Sequence, residues 1–158
     1  MNLISNDKIK ISKRRAIDII KVMPNIKYDY PVRIYYEDTD AGGIVYHTNY
    51  LKFCERARTE WLRELNANQS FFLEQNIGLV VRRVEMDNTA SAKLDDLLIV
   101  TSWISEFKRA SLVFTQQISD ENNKLICSVV VRIACVNLQL SKPCAIPEKI
   151  LGALKRVS

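Results

Sequence analysis

Little in this chain of 158 residues points to a membrane span, a metal or a disulfide framework. No apolar run approaches the ~18–20 residues that a helical span needs, which excludes an integral helical membrane protein. With only 4 Gly and 4 Pro, collagen-like and low-complexity classes are excluded as well. The cysteines (Cys54, Cys127, Cys135 and Cys144) form no CxxC pair, and the chain has a single His. A structural zinc site wants four Cys/His ligands in close pairs, so no metal is expected. Cys54, Cys127 and Cys135 fall in apolar stretches, where a Cys behaves as a small hydrophobe. Reduced thiols fit a cytosolic setting.

What is present suits one globular domain. Apolar residues make up 47% and charged residues 26%, and the length is enough to bury a full core. The net charge of +5 is unevenly placed. Residues 1–22 hold six Lys/Arg against Asp7 and Asp18, which leaves the rest of the chain nearly neutral. A nucleic-acid-binding body would need a basic face, and this distribution does not supply one.

Residues 1–29 read as an extension. Ser12 is placed to cap a short helix over Lys13–Met23, with Ala16, Ile19, Ile20 and Met23 on one face and Pro24 ending it. Asp18 and Lys21 interrupt the apolar residues, which argues against a secretory signal. Three readings stay open: a solvated extension, a basic amphipathic helix that touches a membrane or a partner, or a start-site artefact with the natural start at Met23.

The body opens with a strand expected over Tyr30–Glu37, broken by Asp38–Gly43. Asn49 is the expected N-cap of a helix over Tyr50–Leu65. Tyr50, Leu51, Phe53, Cys54, Ala57, Trp61, Leu62 and Leu65 cover about half its circumference, so other structure must enclose it. Arg58 falls inside that apolar arc and needs a partner if buried. A turn of helix at Phe71–Gln75 precedes four strands: Ile77–Met86, Leu97–Phe107, Ser111–Ser119 and Leu125–Leu138. Gln116 interrupts the apolar face of the third. Short polar links between the last three make them antiparallel neighbours. Pro147 opens a short helix to about Leu154. The fold class is α+β, one antiparallel sheet with one long central helix. One sheet covers one side of a helix, so a second subunit is expected against the rest.

The chemistry concentrates between the first strand and the helix. Glu37, Asp38 and Asp40 sit beside Gly42–Gly43, and His47 follows. The turn runs into a helix N-terminus, whose N–H groups and positive dipole end stabilise an anion. Acyl transfer needs such a place for its oxyanion, and a carboxylate there serves as base or nucleophile. The plainer reading is that Asp in a Gly-rich turn is a turn residue and a lone His is structural.

The stretch YYEDTDAGGIVYHTNYLKFCERARTEWLREL, Tyr35–Leu65, resembles the signature of the hotdog-fold acyl-CoA thioesterases. It is most similar to their YbgC subfamily, associated with the bacterial Tol-Pal envelope system, and it is also similar to the 4-hydroxybenzoyl-CoA thioesterases. VVVRIACVN and KPCAIPEKI agree with the family layout, while residues 1–29 lie largely outside it. The resemblance implies a hotdog fold over residues 30–158 and dimers paired into tetramers, with active sites between subunits and no cofactor. It implies an acyl-CoA or acyl carrier protein substrate and lipid metabolism; a cytoplasmic protein is expected, reaching the inner membrane face only if residues 1–22 make that contact. Asp40 would attack the thioester carbonyl or activate a water, and His47 would orient or polarise the thioester. Tyr46 would line the acyl pocket, and Glu37 and Asp38 are turn residues. Arg82, Lys108 and Arg109, with Arg83 and Arg132, are cations at strand ends that either meet the CoA phosphates or, on the plainer reading, are solvated charges. A hotdog dehydratase would carry a different His/carboxylate motif. A non-catalytic acyl-carrier or envelope-complex binding module of the same fold is the alternative.

Overall fold

The computed structural model describes residues 26–67 and 69–156. The expected helix over Lys13–Met23 lies outside them. In chain order the elements are β1 (Tyr28–Arg33), a 3-10 turn (Tyr36–Asp38), α1 (His47–Glu64), α2 (Gln69–Glu74), β2 (Ile77–Asn88), β3 (Leu97–Lys108), β4 (Ser111–Asp120), β5 (Leu125–Asn137), β6 (Lys142–Pro143) and α3 (Glu148–Lys155).

All strands join one antiparallel sheet in the order β1-β3-β4-β5-β2, with β6 beside β5. The period-2 pattern explains its buried face. Leu98 and Val100 of β3, Leu112, Phe114 and Ile118 of β4, and Cys127, Val129, Val131 and Ile133 of β5 alternate inward and are all buried. Register shifts after Val81, Ile104 and Ile118 mark bulges, which bend strands and increase twist. The sheet curls around α1, which buries Tyr50, Phe53, Cys54, Ala57, Trp61 and Leu62 against it. Each large side chain so buried contributes about 1.5–3 kcal/mol. This is the hotdog arrangement.

Arg58 and Gln116, the two polar residues that the sequence pattern marks on apolar faces, are partners. Arg58 Nη1 donates to Gln116 Oε1 at 2.7 Å. Gln116 Nε2 donates to the Cys54 carbonyl at 3.0 Å and to Ser102 Oγ at 2.9 Å. Arg58 also lies over the Phe114 ring at 6.0 Å. Desolvation lowers the Arg58 pKa, but the guanidinium starts so high that it stays charged.

Three boundaries differ from the sequence expectation. β1 opens at Tyr28 rather than Tyr30 and ends at Arg33 rather than Glu37. Tyr35 and Tyr36 favour a strand, but the Asp38 carboxylate accepts the Tyr35 N–H at 2.9 Å and winds the chain into the 3-10 turn. The helix begins at His47, not Tyr50. Asn49 is therefore inside its first turn, where its side-chain amide donates to the Asp38 carbonyl at 2.9 Å instead of capping the helix. β2 to β5 agree in position, within one or two residues at each end, whereas β6 is not expected from the sequence.

Candidate active site

The segment between β1 and α1 is a small hairpin pinned at both ends. Asp40 N–H donates to the Ile44 carbonyl at 2.9 Å, and Tyr46 N–H to the Asp38 carbonyl at 2.9 Å. The chain after β2 returns to hold it. Val45 N–H donates to the Ala92 carbonyl at 2.9 Å, Ile44 bridges to Lys93, and the Ala92 N–H donates to the Tyr50 hydroxyl at 3.1 Å. The turn is thus clamped between the start of α1 and the chain leaving β2.

Both glycines are needed at the tip. Gly43 has φ +77°, a conformation that side-chain-bearing residues avoid. At Gly42 the constraint is space, since an added Cβ would lie 3.1 Å from Asp40 Oδ1. That oxygen accepts the Gly42 N–H at 2.8 Å, which orients the carboxylate. Asp40 is exposed, and its other oxygen has no protein partner among the described residues. Asp38, two residues earlier, is buried and spent on the 3-10 turn.

Asp40 opens onto a groove of about 510 Å³ lined also by Tyr36, Thr39, Ala41, Gly43 and Leu94. The Tyr36 side chain is 84% exposed, so its ring stands over the groove without packing into the core. Tyr46 and His47 are not among the lining residues. They lie beside it at the start of α1, their rings edge to face at 4.6 Å. The N-cap residue Tyr46 supplies no side-chain cap, and the first turn has no acidic residue. The positive end of the helix is therefore open to an anion.

The candidate cations lie apart from Asp40 in the same chain. Lys108 and Arg109 stand at the far end of β3, about 35 Å along the strand from Leu97, where β3 leaves the Asp40 end. Lys108 Nζ is paired with Glu106 at 2.6 Å, and Arg132 shares that carboxylate at 3.3 Å. Arg82 is the extra residue at the β2 bulge, and Arg83 pairs with Glu85 at 2.9 Å. Among the described residues no group of three or more His, Cys, Asp or Glu is placed to hold a metal ion. None of the described helices is long and apolar enough to cross a membrane.

Sequence reasoning missed Tyr36 and Leu94 as groove residues. Tyr36 read as a strand residue, and Leu94 lies in a stretch without periodic signal that only the fold returns to the turn.

The model of the thioesterase-like superfamily matches residues 34–154. The chain is 47% identical over 127 residues to an acyl-CoA thioesterase YbgC of Haemophilus influenzae, covering 80% of this chain and 93% of that protein. It is 42% identical over 129 residues to an acyl-CoA thioester hydrolase YbgC of Escherichia coli O157:H7, covering 82% of this chain and 96% of that one. A crystal structure of a probable thioesterase from Bartonella henselae superposes with a TM-score of 0.71 at 33% identity, covering 77% of this chain and 99% of that one.

Proposed function

The chain belongs to the thioesterase-like superfamily and, within it, to the YbgC acyl-CoA thioesterases, and on that premise we propose that Asp40 carries its reaction. The reaction is hydrolysis of an acyl-CoA thioester to a free acid and a thiol. The observation that carries the assignment is the exposed Asp40 carboxylate, oriented by Gly42 at the mouth of a groove beside an uncapped helix N-terminus.

Two routes fit this geometry. Asp40 attacks the carbonyl carbon and expels the thiolate, leaving an anhydride that water opens. Alternatively Asp40 takes a proton from a water that attacks instead. In both, negative charge builds on the carbonyl oxygen. The first-turn N–H groups of α1 and the helix dipole would stabilise it, a reading supported by the absence of a side-chain cap and of acidic residues in that turn. His47, at the first helical position, orients or polarises the thioester, and Tyr46 beside it contacts the acyl group.

A second copy completes the site. β2 is an edge strand whose inward-facing Val81 and Val84, opposite Ile133 and Val131, remain 47% and 41% exposed. An uncovered apolar edge of this kind pairs with another chain. Antiparallel pairing of two β2 strands carries the start of one β2, with its apolar groove of Phe72, Leu73, Ile77, Leu79 and Leu138, toward the Asp40 turn at the end of the other. It also sets Arg82 in the interface, beside the partner, for contact with CoA phosphates. Lys108 and Arg109 serve that role only from the far end. A homodimer, further paired into a tetramer, is the proposed assembly. Contact of the basic residues 1–22 with an anionic membrane face, near the Tol-Pal machinery, rests on their charge.

The test is thiol release by wild type and Asp40→Asn on short, long and aromatic acyl-CoAs and on acyl carrier protein. A folded Asp40→Asn variant with near-wild-type turnover would falsify the role of Asp40. Light scattering that showed a monomer at micromolar concentration would remove the interface.

A further inference from the structure

β5 and β6 pair with Val136 opposite Pro143 and Asn137 opposite Lys142. One step along the same register stand Cys135 and Cys144, and the Cys144 N–H donates to the Cys135 carbonyl at 2.9 Å. Residues opposed across strands present their side chains to the same side. The two sulfurs accordingly lie 3.6 Å apart, in contact but unbonded. Cys135 Sγ also approaches the Ala145 carbonyl at 3.7 Å. Cys54 and Cys127 are different: each is buried, and among the described residues neither makes a sulfur–sulfur contact.

We propose that Cys135 and Cys144 form a site of reversible thiol oxidation, closing to an intrachain disulfide by exchange with a small-molecule disulfide. The proposal is independent of Asp40 and of the thioester reaction.

Exposure sets the order of events. Cys135 is fully buried and Cys144 half-buried, so Cys144 meets the oxidant first. The Cys144 thiolate attacks one sulfur of the small disulfide. The S–S bond of the oxidant breaks, one small thiolate leaves and takes up a proton, and Cys144 carries a mixed disulfide. Cys135 then loses its proton and attacks Cys144 Sγ. The mixed disulfide breaks and the second small thiol departs with that proton. Two protein thiols lose two electrons in total, and one disulfide is reduced to two thiols.

Burial pushes the Cys135 thiol up to about 12, which makes its attack the slow step. Its contact with the target sulfur compensates, because the step is intramolecular. The bonded distance of about 2.05 Å demands a closer approach by roughly 1.5 Å. β6, two exposed residues long, is the element that can yield. The new bond staples the C-terminal segment to β5. Ile146, Ile150 and Leu154 of that segment are buried, and the Ile146 N–H donates to the Arg109 carbonyl at 2.9 Å.

The full chain is incubated with excess oxidised glutathione, denatured, alkylated and mapped by mass spectrometry. The expected product is a Cys135–Cys144 linked peptide that dithiothreitol reverses, with Cys54 and Cys127 alkylated. Limited proteolysis beyond Cys144 should slow by about tenfold or more in the oxidised form, because the segment opens less often. Cys144→Ser should show neither the link nor the protection while cleaving like reduced wild type. Free, alkylatable Cys135 and Cys144 after prolonged oxidation would overturn the proposal. So would glutathione retained on Cys144, or a link between two chains.

Discussion

Two polar features are built on α1 about three turns apart, and they are opposites. In the middle of the helix, Arg58 reaches across the core to Gln116, which is itself bonded to Ser102 and the Cys54 carbonyl. No buried side-chain polar atom is left without a partner among the described residues. At the start of the helix, Asp40 keeps one carboxylate oxygen unpartnered beside an uncapped N-terminus. The first feature spends its hydrogen bonds on holding helix to sheet. The second withholds them, and that leaves donors and a charge for a ligand. Satisfied polarity inside a core gives specificity of packing, whereas polarity left open at a clamped turn is available to a ligand, which is the basis of the role proposed for Asp40.

Substitutions should separate the two. Asp40→Asn keeps the shape of the turn and the Gly42 hydrogen bond, so the fold should survive. Turnover should fall by ~10²–10⁴, read as kcat in a thiol-release assay with an unchanged melting temperature. His47→Ala should lower kcat less than Asp40→Asn, since the backbone donors of α1 remain. If steady-state kinetics ranked the two the other way, their roles would exchange.

Gln116→Leu attacks the other feature. It leaves the buried Arg58 charge without its acceptor and should destabilise the protein by about 2–4 kcal/mol in urea titration. The surviving folded fraction should keep wild-type kcat. Adding Arg58→Met to Gln116→Leu should recover much of that loss, because two apolar groups replace a broken pair. A double variant no more stable than the single one would show that the network acts through more than this contact.

Gly43→Ala should cost about 1 kcal/mol, because a Cβ is strained at φ +77° although nothing crowds it. Gly42→Ala should instead lower kcat more than stability, as its Cβ would press on Asp40 Oδ1. The smallest effect is expected from deleting residues 1–22. kcat/KM should stay at the wild-type level, while any binding to anionic vesicles should vanish and, in the intact chain, weaken with salt. A large fall in kcat/KM would show that this segment docks near the site.

Much of this arrangement was legible before any coordinates. The 3.6-residue spacing from Tyr50 to Leu65 marked the enclosed helix, and period-2 runs marked β2 to β5. The Gly42–Gly43 turn, with Asp40 before it and His47 after it, stood out as the candidate site, and the fold clamps that turn between the start of α1 and the chain leaving β2. Arg58 and Gln116 each stood out as an intruder on an apolar face. Their partnership did not, because periodicity says which way a side chain faces but not what it faces. The end of β1 was misread for a related reason. Tyr35 and Tyr36 have strand propensity, but one hydrogen bond from the Tyr35 N–H to the Asp38 side chain outweighs it. Asn49 looked like a cap on local grounds, yet the fold puts its amide against the Asp38 carbonyl.

By itself the sequence determined the fold class, the long helix and the turn that holds Asp40. These follow from local spacing, from residue types with restricted backbone preferences, and from a dense motif. Only the tertiary structure decided that Leu94 and Tyr36 wall the groove, that Ala92 clamps the turn, that Arg58 meets Gln116, and that Cys135 touches Cys144. Each joins residues through strand register or helix–sheet packing. Such contacts depend on how the sheet curls and where the bulges fall, which is set by the sum of many weak packing terms rather than by any short stretch of chain.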